Sequence, residues 1–564
     1  MKRASLYFQT SRHFRPKQLA YQLVRRLRHW TPPHVRGDAP ISAMRPGLKP
    51  SKFLESRGWT VSDALKFEFL NVTHPSPFVV VDWSAEGMSR LWRYNLHYFD
   101  YLLGDRLSDA RKSLLIDDWI ERNPPGTPDA WDPYPMSLRI VNWVKFFLGT
   151  AERDALSQQW LDSLALQGRW LEQNFEYHLL ANHLLKNAVA LFHVGAFLNG
   201  AEADRWLARG WGHLQKELSE QFLGDGGHYE RSPMYHSICL ADCYDVLALC
   251  LQNPDVVHVD SLELLRVVVL RGAEFLRDVS FPDGEIALFN DSAFRIAPMP
   301  ADLLSRVNSL LGASACGPAT IESGTACELI ERRASGYFGL RHGADMLLVD
   351  CGEVGPDYQP GHAHCDTLSY ELALDGQRLV VDTGVYDYEA GERRQLARGT
   401  ASHNTVVVDG QEQSEIWGVF RVARRARPQE VMLHREGAGA VFQGAHDGYR
   451  RLRGRPIHRR RILYDGAGSY EIQDEVTGSG EHTVESRIHL HPSYRAVIQG
   501  MYAVVSNGDG HPSARIEFLE GARPQLEQGR YFPQFGIEQS SQVLVLKKNG
   551  PLPLRLGYRI VKGA

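Results

Sequence analysis

No apolar run in this 564-residue chain approaches the roughly 18 residues that a membrane span needs. The N-terminus is positively charged but lacks the apolar stretch and small-residue cleavage site of a secretion signal, so no conventional export is expected. A cytoplasmic location follows, with the periplasm as the alternative. Cysteine is scarce: seven residues, odd in number and scattered, form neither a disulfide framework nor a Cys-x-x-Cys metal cage. Cys239, Cys243 and Cys250 fall in an apolar helical run and read as buried thiols, which fits a reducing compartment. Acidic residues are missing before Asp38, where Lys2, Arg3, Arg12, Arg15, Lys17, Arg25, Arg26, Arg28 and Arg36 lie. Leu19, Tyr21, Leu23, Val24 and Leu27 in that arm suggest a short basic amphipathic helix. Two more basic blocks run through Arg421–Arg427 and Arg450–Arg461. Such blocks favour polyanionic partners or an anionic membrane surface; solvated faces and structural ion pairs are the competing reading. No nucleic-acid partner is expected, and oligomeric state is not legible.

What is present is a soluble composition, 43% hydrophobic and 23% charged, long enough for two or three domains. From about 50 to 310 the apolar spacing is helical, as in Leu138–Phe147, Leu184–Phe192 and Ile238–Leu247. Breaks such as Asn123-Pro124-Pro125-Gly126 separate helical hairpins and predict an all-α layer, a bundle or a closed ring. Gly312–Glu331 reads as a linker. After about Ser335, short β runs such as Met346–Val349, Leu368–Leu374, Thr405–Val408 and Ile462–Tyr464 alternate with Asp-Gly turns, predicting a large antiparallel sandwich. The division is a basic arm over 1–45, a helical domain over 46–315 and a β domain over 335–564.

Three groupings carry chemistry. Gly361-His362-Ala363-His364-Cys365-Asp366, Val381-Asp382-Thr383-Gly384 and Ser402-His403-Asn404-Thr405 lie on or beside predicted strands. His364, Asp382 and His403 suit Zn²⁺ with one position open, leaving His362 two residues from the first ligand. Asn182-His183 begins an otherwise apolar helix, where Asn182 alone reads equally well as a helix cap. Asp225-Gly226-Gly227-His228-Tyr229-Glu230-Arg231-Ser232-Pro233-Met234-Tyr235-His236 leads a Gly-rich turn into a helix.

In this order the motifs resemble the heparinase II/III-like polysaccharide lyases. The stretches Leu91–Phe99 and Trp131–Trp143 resemble the helical domain of that family. The resemblance covers roughly residues 50 to 500, and it implies an incomplete α/α toroid followed by an antiparallel β-sandwich, with the active site between them. It also implies β-elimination on a uronate polysaccharide or oligosaccharide, and a structural zinc on His364, Asp382 and His403 that pins the loop presenting His362. Elimination removes the C5 proton and expels the C4 oxygen, so donors must neutralise the uronate carboxylate. Asn182, helped by His183 or His362, is the expected neutraliser, and Tyr235 matches the family's catalytic tyrosine as general acid. The base stays open between Tyr235, His183 and His362; a histidine is favoured by its ordinary pKa of about 6.5. Trp92, Tyr94, Tyr98, Trp131 and Tyr134 are candidate sugar platforms, and Arg139 and Glu230 are expected to shape the cleft. Tyr386 and Tyr388 are candidates for a second tyrosine. Without an export signal, surface or exopolysaccharide metabolism is the expected setting, and the basic arm is expected to contact a membrane or partner. The rival reading is a non-catalytic glycan-binding component of an assembly system. A glycoside hydrolase ranks last, because Asp225 and Glu230 have no convincing carboxylate partner across the cleft.

Overall fold

The computed structural model describes residues 2–27, 43–51, 53, 60–61, 66–75, 80–150, 156–312, 327–519, 521 and 523–563. Helices α1 (Lys2–Ser11) and α2 (Pro16–Leu27) form the arm. The helical domain follows as α3 (Arg90–Tyr98), α4 (Asp109–Arg122), α5 (Pro133–Gly149), α6 (Gln158–Gln173), α7 (Ala181–Phe197), α8 (Ala201–Gln221), α9 (Pro233–Gln252), α10 (Glu263–Asp278) and α11 (Pro300–Leu311). The period-3.6 segments predicted from sequence lie inside α5, α7 and α9, with most of their apolar side chains buried. Glycines set the closest approach. A Cβ on Gly195 of α7 would stand 2.3 Å from the Leu207 backbone nitrogen of α8, and one on Gly210 would stand 2.5 Å from that of Phe192. Helix α9 is long and apolar enough to cross a membrane, but it is a core helix here.

The segment expected to be helical throughout also holds a small antiparallel sheet, Thr60–Val61, Lys66–Phe69 and Val72–Pro75. Its alternation places Phe67 and Phe69 under the helical layer. The expected linker falls mostly outside the described residues; Glu328, within its predicted span, already begins a strand ahead of Ser335.

Two antiparallel sheets, one of nine strands and one of eight, face each other across a core that includes Leu372, Ile488, Leu544, Ile472, Tyr558 and Ile560. The nine-stranded sheet has two buried faces. Its strands Asp345–Asp350 and Ser369–Leu374 are buried at every residue, because Met346, Leu348 and Ala373 pack on the helical domain. Those two strands bracket the His362–Asp366 segment, which is a loop where strand or near-strand backbone was expected. Helix α12 (Glu392–Arg398) packs against that loop, its Arg398 carbonyl accepting the Cys365 N–H at 2.9 Å.

Several arginines of the later basic blocks are held in ion pairs within the chain. Arg460 faces the core opposite Asp474 in register, bonding its carboxylate at 2.7 and 2.8 Å. Arg459 pairs with Glu430 at 2.6 Å, Arg424 with Glu415 at 2.7 Å and Arg425 with Asp357 at 2.6 Å. The arm is docked on its own chain, touching both domains.

Candidate active site

Three backbone positions that L residues rarely adopt flank the site. Ala181, after Leu180, has φ 55°, Arg231 has 56° and Asn290 has 58°. They adjoin Asn182, Glu230 and Asp291, so these three side chains are aimed from strained backbone. Asn182, in the first turn of α7, donates its backbone N–H to Glu230 at 2.9 Å and its amide to both carboxylate oxygens at 3.0 Å. It is therefore not the helix cap; its Oδ1 is buried without a hydrogen-bond partner. Ser232 caps α9 by accepting the Tyr235 N–H at 3.2 Å, and its hydroxyl donates to the Asp291 carbonyl at 2.6 Å. That cap places Tyr235 in the first helical turn.

Asp291 ties the two halves together. It accepts from His362 Nδ1 and from His364 Nε2, both at 2.8 Å, one on each oxygen. The Arg394 guanidinium of α12 grips the same carboxylate with two nitrogens. Burial alone would raise Asp291, but Arg394 and the two imidazoles hold it well below the usual carboxylate range. His362 and His364 thus share one carboxylate without needing a regular strand.

The walls meet around a cleft of about 960 Å³. Tyr94, Tyr98, Tyr134, Asn182, His183 and Tyr235 line it from the helices; His362, Tyr388 and Phe420 line it from the β domain. The Tyr235 ring stacks on His362 with centroids 3.8 Å apart, and the Tyr235 hydroxyl lies 3.3 Å from that of Tyr388. Burial, reinforced by this neighbour, pushes the Tyr235 phenol well above its ordinary pKa. His362 Nε2 lies 3.4 Å from Glu230, so both of its nitrogens face carboxylates. His183 differs: Nδ1 lies 3.2 Å from Glu176 without a well-formed hydrogen bond, and its ring packs on Tyr134 at 4.4 Å.

Behind His362, the oxygens and nitrogens of His364, Asp366 and His403 converge, with one atom from each within 4.8 Å of the others. His364 Nδ1 and His403 Nε2 are buried with no hydrogen-bond partner, an arrangement that a cation between them would explain. Burial draws His364 down to about 4 and pushes Asp366 up to about 6. At His403 burial is outweighed by the Asp382 and Asp366 carboxylates, which raise the imidazole to about 9. Two imidazoles and a carboxylate fit Zn²⁺. The expected set changes by one residue. Asp382 lies 2.7 Å from His403 Nδ1, and Asp366 stands in the converging position among the described residues.

Other expectations need correction. Trp92 is a core residue, its indole donating to the Val72 carbonyl at 2.9 Å. Trp131 likewise donates to the Asn123 carbonyl at 2.9 Å beneath Trp170. Arg139 is fully enclosed: it bonds Gln167 at 2.9 Å and the Ala130 carbonyl at 2.8 Å, and lies 3.9 Å over Trp119. The helical period turns Trp92 and Arg139 inward, and the turn before α5 does the same for Trp131. Glu230 is also buried, bonded to the Asn182 amide and facing His362 Nε2. Tyr386 packs against Phe532 beneath Arg393, leaving Tyr388 as the tyrosine beside Tyr235. Asp291, Arg394 and Glu176 were missed. Asp291 stands in Phe289-Asn290-Asp291-Ser292, where only the preceding Asn-Asp turn pair hinted at a special backbone.

Sequence models described as heparinase II/III N-terminus and heparinase II/III-like C-terminal match residues 112–306 and 328–556. A heparin-sulfate lyase of Bacteroides thetaiotaomicron is 24% identical over 464 residues, covering 72% of this chain and 62% of its own, less than two thirds of that relative. The FtsZ-localized protein C of Caulobacter vibrioides is 26% identical over 445 residues, 73% of this chain and 71% of its own. A crystal structure of heparinase III superposes with a TM-score of 0.67 at 20% identity, covering 87% of this chain and 81% of that one. At that identity the likeness concerns the fold.

Proposed function

Because this chain belongs to the heparinase II/III-like family, we propose that it is a polysaccharide lyase that cleaves a uronate-containing glycan by β-elimination. The observation that carries the reading is the Tyr235–His362 stack facing Asn182 and His183 across one cleft. Pure glycan binding needs aromatic platforms, but it does not need a buried phenol and two imidazoles held by carboxylates.

The C5 proton goes to the base, its bonding pair forms the C4–C5 double bond, and the C4–O bond breaks toward the leaving sugar. Tyr235 gives that oxygen its proton, a role that suits a phenol kept protonated by burial. His183 is the base: with Nδ1 beside the Glu176 carboxylate, Nε2 is the nitrogen that accepts the proton. His362, held by Asp291 and Glu230, and the Asn182 amide face the uronate carboxylate and offset the charge that develops there. For the two to donate, Asn182 must turn one N–H, and His362 its Nε2–H, from Glu230 to the substrate. Zinc on His364, Asp366 and His403, oriented by Asp382, would hold the loop that positions His362 through Asp291. It supplies rigidity, and no bond of the reaction passes through it.

Tyr235→Phe tests the reading. Unsaturated uronate product, followed by its ultraviolet absorbance, is expected to fall by about 10²–10⁴ with binding retained. Full turnover in this variant excludes the acid assignment.

A further inference from the structure

Helices α1 and α2 precede both matched family segments, yet they form part of the cleft wall. Tyr7, Thr10, Phe14, Gln18, Gln22 and Arg26 all face it. Each helix is fastened. On the β side, Thr10 Oγ1 accepts the Trp417 indole N–H at 3.0 Å, and Tyr7 meets the Trp417 ring edge-on at 4.7 Å. The Gln18 amide donates to the Tyr358 carbonyl at 3.2 Å. On the helical side, Arg15 lies 2.6 Å from Glu220 of α8 while its guanidinium covers the Tyr358 ring at 3.7 Å. Tyr21 and Lys17 sit on Tyr177, between α6 and α7, at 4.7 and 3.8 Å.

A segment anchored on both banks of a groove bridges it. A long polymer then cannot be laid in sideways at that end; a chain end must be inserted. The charges of the cleft add a second argument. Lys145 pairs with Asp245, Lys186 with Asp242 at 2.5 Å, and Arg90 with Asp132 at 2.8 Å. Arg421 lies over the Tyr7 and Trp417 rings. Arg26 lines the same cleft with no ion-pair partner among the described residues.

We propose that α1 and α2 are a substrate-binding strap that makes the cleft an end-on site, with the Arg26 guanidinium taking an anionic group on a sugar remote from the scissile bond. The strap deepens the lyase reading and rests on it for the kind of ligand. Product specificity follows: short unsaturated fragments are released from chain ends, and mid-chain cuts are suppressed.

The test uses full-length protein in two assays. In the first, the viscosity of an unsulfated glucuronate–N-acetylglucosamine polymer is plotted against double bonds formed. The wild type is expected to lose viscosity slowly, and a strap-released variant (Tyr7→Ser, Arg15→Glu, Tyr21→Ser) steeply at equal bond count. In the second, calorimetry in a Tyr235→Phe background measures a disaccharide and a hexasaccharide of that polymer. Adding Arg26→Gln is expected to weaken the hexasaccharide about tenfold and leave the disaccharide unchanged, the loss of one charge-assisted hydrogen bond. Circular dichroism checks that each variant is folded. Wild-type viscosity falling as steeply as that of the released variant overturns the end-on site, and equal hexasaccharide affinity with and without Arg26 overturns the subsite. If the wild type forms no double bond on any uronate polymer, the lyase reading fails, and calorimetry still judges the strap. No binding of either oligosaccharide overturns the strap as well.

Discussion

Replacing Asp291 by Asn removes one charge from the centre of the site and leaves its shape. Asp291 and Arg394 are wholly buried, so the guanidinium would lose its counter-charge without gaining water. Breaking a buried pair from one side typically costs about 3–5 kcal/mol. For a unit of 150–250 residues each kcal/mol is worth about 2–4 °C, so the melting temperature should fall by roughly 6 to 20 °C at neutral pH. The pH dependence has a definite sign. The folded carboxyl sits well below its unfolded value of about 3.9, so its contribution is full above that value and fades as pH falls through the folded pKa. The two proteins should therefore differ most at neutral pH and converge only in strong acid. Melting curves by differential scanning calorimetry from neutral to acidic pH provide the assay. If Asp291→Asn melts with the wild type at neutral pH, the carboxylate is not the hub that the geometry describes.

Three shorter expectations accompany this one. Elemental analysis of purified protein should find about one zinc per chain, absent in His403→Ala, and Asp382→Asn should bind it about 10–100-fold more weakly; wild-type protein that binds no zinc refutes the site. Arg139→Met should lower the melting temperature by removing a buried guanidinium from Gln167 and two carbonyls while leaving the KM of folded protein unchanged; a raised KM with normal stability would return Arg139 to the cleft. His183→Gln should cut kcat far more than KM, and a pH profile identical to wild type would exclude His183 as base.

Residue pattern alone determined the order of helices before sheets, because periods of 3.6 and 2 are written into spacing that any neighbour in the fold must respect. It also singled out Asn182, His183, Tyr235 and His362 as candidates, through an order of motifs that resembles the heparinase II/III-like family. Only the tertiary structure decided what each one touches. Asp291 looked ordinary because its partners come from positions 362, 364 and 394, and no local spacing encodes a contact over that distance. Arg139 and Trp131 looked like cleft residues because sequence gives their type but not which neighbouring helix closes over their face. That Asp366 rather than Asp382 joins the converging donors turned on how the loop after His364 folds back toward His403, a matter of tertiary geometry. The arm advertised its charge; its place across the cleft depended on Trp417, Tyr358 and Tyr177, which the fold alone brings to it.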